Sequence, residues 1–270
     1  MFNSELSKSL QEARRIVWDT AYGSDIMVGG GIMLHSITQY KDSNVKPPRW
    51  KGSGIDHTHQ FLVARGILIL ENDKTWNVAK HLYENNGTNI LMEYADKPDE
   101  DEKGVLFAGH FYNPYTGMNF LGQTSPTAKT NFLQHTENAA NNFYTDKTYA
   151  WQELGRALHY LSDMNQPHHA SNKVAILTNH MEFESWVDER RIKYGVTSSP
   201  KYNDYLEDSF ETYCSKIADD SAKNAYAYKD PASASFSLFK YYNYDFAARN
   251  TLPYTQWVIA AFLYRFLKSV

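Results

Sequence analysis

Cysteine is nearly absent from this chain: Cys214 stands alone among 270 residues. One thiol cannot form an internal disulfide, so a disulfide-stapled scaffold is excluded, while the cellular compartment is left open. No apolar run reaches the roughly 18 residues of a membrane-crossing helix, which removes that class as well. Excess charge is also lacking, with 27 Lys and Arg against 31 Asp and Glu, a net charge of −4 and a pI near 6.2. Phosphate backbones are held by concentrated positive charge, so a general nucleic-acid binder is not expected. A charged fraction of 21% beside 42% apolar residues excludes a disordered polyelectrolyte. What is present is aromatic (20 Tyr, 14 Phe, 6 Trp) and rich in histidine, in a chain long enough for one large domain.

The first residues are polar, with Glu5 and Lys8, and do not read as a secretory signal. The apolar stretch over 26–34 is short and broken by Gly29, Gly30 and Gly31. Ser4 as a cap and Leu6, Leu10, Ala13 and Val17 at helical spacing predict a short helix over 4–18. The polar segment 39–51 carries Pro47 and Pro48 and reads as a linker, dividing the chain into 1–49 and 50–270. Beyond it the 3.6-residue period predicts helices over 56–70, 131–144, 148–164, 179–194, 202–226 and 253–268. No alternating apolar pattern is long enough for a major sheet, so the expected fold class is all-α.

Several of the ten histidines stand at spacings that metal sites use. His159 and Asp163 are four apart, and a helix places such positions on one face, about a turn from each other. Pro167 is expected to stop that helix and leave His169 on a loop just beyond it. His180 and Glu184 repeat the four-residue pairing on a new helix. A single pair of this kind is most often a solvated surface pair. Two pairs with an intervening His, embedded in apolar sequence, point instead to a shared cation, because a buried His or Asp without a partner is costly. Imidazole nitrogen and carboxylate oxygen are the usual zinc donors outside sulfur sites. His59 lies on the stripe His59, Leu62, Val63, Gly66, Ile67 and Leu70, an inward helix face, whereas His57 is off it. His110 sits beside aromatic residues before a turn and, taken alone, reads as a core histidine. His35, His81 and His135 have no such context, and His168 points away from its neighbour's site by adjacency.

In order and spacing these residues resemble the bacterial zinc-dependent phospholipase C family, of the clostridial alpha-toxin catalytic-domain type. The resemblance runs through Trp50-Lys-Gly, His59, Gly66-Ile-Leu-Ile-Leu-Glu-Asn-Asp73, Ala95-Asp96, Gly109-His-Phe-Tyr-Asn-Pro114, Leu158-His-Tyr-Leu-Ser-Asp163, Asn165-Gln-Pro-His-His169, His180, Phe183-Glu184 and Phe262-Leu-Tyr-Arg-Phe-Leu267. It implies a helical domain around three zinc ions. His110, His159 and Asp163 would hold one. Asp163 would bridge to a second, completed by His59 and by the amine and carbonyl of Trp50. His169, His180 and Glu184 would hold the third. Asp96 would be the general base, with Asp99 a nearby competitor.

The Trp50 role carries a physical condition. A peptide nitrogen has no free lone pair, whereas an α-amine can be deprotonated by a metal. Residues 1–49 therefore read as a propeptide-like extension, removed at the exposed Pro47-Pro48-Arg49 segment to free the amine; the alternative is a permanent extension, with water or another side chain taking that metal position. In the choline-preferring branch of the family a Tyr follows the base and an acid lies three after the Trp. Here Lys97 and Ser53 stand at those positions, although Phe107 keeps an aromatic suited to a quaternary ammonium. Choline preference is thus not implied, and ethanolamine or anionic head groups enter.

The resemblance further implies secretion, a phospholipid membrane surface as partner and a monomer, without nucleic acid. Relatives of the alpha-toxin type continue into a membrane-binding β-sandwich; the final helix near 270 leads to the expectation of a catalytic domain without that C-terminal module. Two other readings compete. An S1/P1-type zinc nuclease shares the architecture but carries Asp where Glu184 stands, together with disulfides. A non-catalytic zinc-stabilised module is the third.

Overall fold

The computed structural model describes residues 57–74, 76–102, 104–175, 178–234 and 239–270. The helix expected over 4–18, the linker over 39–51, the boundary at 49/50 and Trp50 lie outside the described residues.

The longer helices are α1 (Thr58–Asp73), α3 (Gly87–Tyr94), α5 (Ala128–Asn142), α6 (Lys147–Met164), α8 (His180–Asp188), α9 (Phe210–Tyr226) and α11 (Lys240–Ser269). Short turns of helix lie between them: α2 (Trp76–Ala79), α4 (Lys97–Asp101), α7 (Pro167–Ala170) and α10 (Lys229–Ala232). Among the described residues there is no sheet, only an isolated bridge between Asn113 and Met118 that closes the turn after His110. The fold is all-α.

Local chemistry starts the helices. Thr127 and Thr130 form a reciprocal capping box at α5, and the Asp146 carboxylate accepts the Tyr149 N–H at α6. Packing then selects their partners: α5 and α3 lie along α6, and α11 lies along α1. Two glycines permit close approaches between these helices. A Cβ at Gly66 would overlap Ile259 of α11, and one at Gly155 would sit 2.7 Å from the Tyr94 Cβ and 2.9 Å from the Leu91 carbonyl of α3. The main core includes Leu62, Leu70, Phe132, Trp151, Leu158, Phe262 and Phe266, and each fully buried Leu or Phe contributes about 1.5–3 kcal/mol. A smaller cluster of Phe183, Val187, Tyr194, Tyr244, Ala248 and Leu252 lies under α8.

Four expectations are corrected. The helix over 179–194 ends at Asp188, whose carbonyl takes a bond from the Arg191 guanidinium as the chain tightens into the 3₁₀ turn Arg191–Tyr194. The helix over 202–226 begins only at Phe210, where the Ser209 hydroxyl caps it. The last helix begins at Lys240, not at Pro253. The missing N–H is tolerated inside α11 because Ala247, Ala248 and Leu252 before it and Val258 and Ile259 after it are all buried. Finally, Pro167 does not leave His169 in a loop. It occupies the first turn of α7, where its lacking N–H costs nothing, and the Gln166 side chain caps the N–H groups of His168 and His169.

Candidate metal centre

Helix α6 carries the centre. His159 and Asp163 stand on its buried side among apolar residues such as Leu154, Leu158 and Leu161, with the His159 Nε2 3.1 Å from Asp163 Oδ2. Helix α1 brings His59 in on the buried stripe, all six of whose residues are buried, and its ring stacks on His159 at 4.2 Å. The His59 Nε2 lies 3.7 Å from Asp163 Oδ1. His110 closes the 3₁₀ turn Gly104–His110 and places its Nδ1 2.9 Å from Asp163 Oδ2 and 3.0 Å from the His159 Nε2. On α7, His169 sets its Nδ1 3.1 Å from Asp163 Oδ1 and its Nε2 3.1 Å from the Nε2 of His180. The His180 Nε2 is 2.7 Å from Glu184 Oε1 on the next turn of α8.

Among the described residues, donor atoms therefore gather in three sets, each within 4.8 Å: His59, His159 and Asp163; Asp99, His110 and His159; His169, His180 and Glu184. The second set brings in Asp99, whose Oδ1 lies 3.6 Å from the His110 Nδ1 and 3.8 Å from the His159 Nε2. Asp96, by contrast, stands at the N-cap of α4 without a capping bond from its side chain. Both its oxygens are buried without a hydrogen-bond partner among the described residues. Lys97 turns outward to Glu100, 2.7 Å away, so its charge is neutralised locally. The Phe107 ring stands 4.7 Å from that of His110. His168 is buried but faces away, stacked on His180 with its Nε2 3.4 Å from Asn179. His57, His81 and His135 face Asp188, Glu84 and Glu153 instead.

The electrostatics of this pocket suit cations. Burial opposes ionisation of Asp163, yet His159, His169 and His110 hold its carboxyl well below the usual range. Burial also works against charge on His110 and His169, but Asp163 outweighs it and raises them to about 10 and about 9. His59 is held well below its usual value by burial and by His159. Burial pushes Asp99 up, and pushes Asp96 up to about 8 against the opposing pull of His159. Two imidazole nitrogens face each other at 3.1 Å between buried carboxylates, the arrangement that a metal ion replaces by displacing protons. Nitrogen and oxygen donors without sulfur fit zinc.

Sequence reasoning passed over the supporting groups. His159, His169 and His180 each donate Nδ1–H to a main-chain carbonyl, of Ala95, His110 and Lys173, at 2.7, 3.0 and 2.9 Å. The Gln166 Nε2 donates to Glu184 Oε1 at 3.0 Å. Main-chain acceptors leave no trace in side-chain spacing. Gln166 had one signal, a capping side chain directly before a proline.

An all-helical frame around a buried cluster of imidazoles and carboxylates defines a metal-dependent protein of the helical zinc class. The chain belongs to the zinc dependent phospholipase C family, whose model matches residues 58–228. It is 30% identical to a phospholipase C of Paraclostridium bifermentans over 239 residues, covering 79% of this chain and 59% of that one. It is likewise 30% identical to a phospholipase C of Clostridium perfringens over 256 residues, covering 84% and 63%. The solved structure of alpha toxin from Clostridium absonum superposes with a TM-score of 0.72 at 25% identity, covering 82% of this chain and 65% of that one. This chain thus spans about three-fifths of the length of these curated relatives. Family membership brings zinc dependence with it.

Proposed function

We propose that this chain is a zinc-dependent phospholipase C that hydrolyses the glycerol-side phosphodiester of phospholipids, releasing diacylglycerol and a phosphorylated head group. One observation carries the reading: Asp163 stands between two buried groups of histidines, within about 3–4 Å of His59, His110, His159 and His169. A structural zinc site needs four donors and closes on them. A cluster this extended suits a phosphodiester, which carries charge on several oxygens.

Three zinc ions are proposed. His110, His159 and Asp163 hold one, with Asp99 within reach. His59 and Asp163 hold another, which Trp50 completes once cleavage after Arg49 frees its amine. His169, His180 and Glu184 hold the third. Bound zinc supplies charge neutralisation at the phosphate and an acidified water. Asp96 is the base that takes the proton from the attacking water; a carboxyl raised to about 8 by burial lies near the working range of such a group. Asp163 and Glu184 keep the imidazoles aimed inward, and Phe107 offers a ring beside His110 for the head group. Because Lys97 is paired with Glu100, it does not by itself bar a cationic head group. The partner is a phospholipid surface, reached outside the cell by a monomer. No helix of the described residues is long and apolar enough to cross a membrane.

The test is diacylglycerol release from choline, ethanolamine, serine and inositol lipids by zinc-loaded chain, intact and trimmed to Trp50, with single-stranded DNA as the rival substrate. Asp96→Asn is expected to lower turnover about 10²–10⁴-fold with zinc content unchanged. Loss of zinc in that variant reassigns Asp96 as a ligand. No diacylglycerol from any lipid in the trimmed, zinc-loaded chain overturns the reading.

A further inference from the structure

His110 is oriented differently from the other imidazoles of the centre. His159 and His180 direct Nδ1–H to neutral main-chain carbonyls, and the His169 Nδ1 lies 3.0 Å from the His110 carbonyl and 3.1 Å from Asp163 Oδ1. His110 is reversed, with Nδ1 inward 2.9 Å from Asp163 Oδ2; its outward Nε2 is buried, makes no hydrogen bond among the described residues, and has the carboxylate oxygen Glu102 Oε2 3.4 Å away, at ion-pair distance. Glu102 follows α4, and its other oxygen accepts the hydroxyl proton of Tyr160, the residue directly after His159 on α6. The Tyr160 ring is itself stacked on His135 at 5.6 Å, with the planes 8° apart.

From this geometry we infer that Glu102 is a positioning residue for His110, with Tyr160 locking it in place. The inference rests on the reading of His110 as a zinc ligand. A carboxylate at Nε2 keeps the proton on that nitrogen and leaves the Nδ1 lone pair facing the centre. It also makes the ring more electron-rich than a carbonyl partner does, which strengthens its donation to a cation. The outward nitrogen of His110 faces Glu102, the residue that ends α4, rather than a main-chain carbonyl. Tyr160 bridges the two parts, since one helix presents both the ligand His159 and the clamp on the carboxylate that orients His110. Of the acidic run over 96–102, Glu102 thus serves the centre from behind, whereas Asp99 faces it.

The test is a competitive chelator titration of the full-length chain, read zinc by zinc, with cobalt substitution to report coordination by absorption. Glu102→Ala is expected to weaken one metal by about 10–100-fold, leaving the ion of His169, His180 and Glu184 unchanged. Glu102→Gln retains an acceptor oxygen without the charge and is expected to recover part of that loss, which a purely structural role would not predict. Tyr160→Phe, which removes one hydroxyl from an otherwise intact ring, is expected to give a smaller loss at the same metal. Circular dichroism of the metal-free variants separates misfolding from loss of metal, and where Glu102→Ala does not fold, the Gln and Phe variants decide. Unchanged affinity and an unchanged cobalt spectrum in Glu102→Gln and Tyr160→Phe overturn the inference. An unsubstituted chain that takes up no zinc overturns the underlying ligand reading instead.

Discussion

The two halves of the metal centre are built by different means. His169, His180 and Glu184 come from one short stretch of chain, in which α7, a turn and α8 follow in succession. The half around His59, His110 and His159 draws on α1, a 3₁₀ turn and α6, with His110 and Asp163 53 residues apart. It is seated on the main core, whereas α8 rests on the smaller cluster of Phe183 and Tyr244. A local site is maintained largely by chain geometry; a distant one exists only while helices stay packed. Asp163 belongs to both, because it touches His169 as well as His110 and His159.

The strongest way to break the contrast is to remove that shared group. Asp163→Asn leaves His110 and His169 without the charge that holds their protons, and losing one partner of a buried pair costs about 3–5 kcal/mol. Zinc analysis is expected to show metal lost from both halves, with diacylglycerol release abolished. Glu184→Gln is expected to empty one half alone. If both variants lose the same metal, the two halves are not separable.

A second, smaller effect probes packing without touching a ligand. Gly66→Ala sets a methyl against Ile259 and is expected to push α1 from α11 at a cost of about 1–3 kcal/mol. Since α1 carries His59, the distant half is expected to lose affinity while the local half keeps its ion. Urea unfolding and zinc titration together read this, and equal weakening of both halves contradicts it.

The smallest effect concerns pH. In the zinc-free protein, His110 and His169 are raised to about 10 and about 9, so their stabilisation is complete below about pH 6.5 and is lost as pH rises through those values. Asp96, raised to about 8, acts in the same direction, because the folded state holds its proton more tightly and pays for ionisation between about pH 4 and pH 8. Asp163 and Glu184 are lowered, so their contribution is present above about pH 4 and is lost in acid. Stability of the zinc-free chain is therefore expected to peak near pH 5–6 and to fall by several degrees in melting temperature by pH 9, as one or two kcal/mol would produce. Zinc replaces those protons and is expected to flatten the alkaline fall. A chelator-treated chain with the same melting temperature at pH 6 and pH 9 contradicts the assignment.

Each half was legible in part. Four-residue spacing put His159 with Asp163 and His180 with Glu184 on single helix faces, and the stripe of α1 showed His59 inward. His110 was legible only through family resemblance, because its neighbours Phe107 and Phe111 equally suit a core histidine. The acidic run over 96–102 was opaque. Composition cannot say which of Asp96, Asp99 and Glu102 is turned inward, since that depends on how α4 lies against α6. Helix ends misread at Pro167 and Pro253 share a cause: proline forbids one hydrogen bond, not a helix, and burial on either side decides the rest.

The helical period and its i, i+4 faces were determined by the sequence itself, because a side chain's direction on a helix follows from local backbone geometry alone. Which imidazole turns Nδ1 inward, and which carboxylate stands behind it, was decided only by the tertiary structure. Those choices depend on acceptors such as the Ala95 carbonyl and Glu102, brought into reach by helices that pack across long stretches of chain.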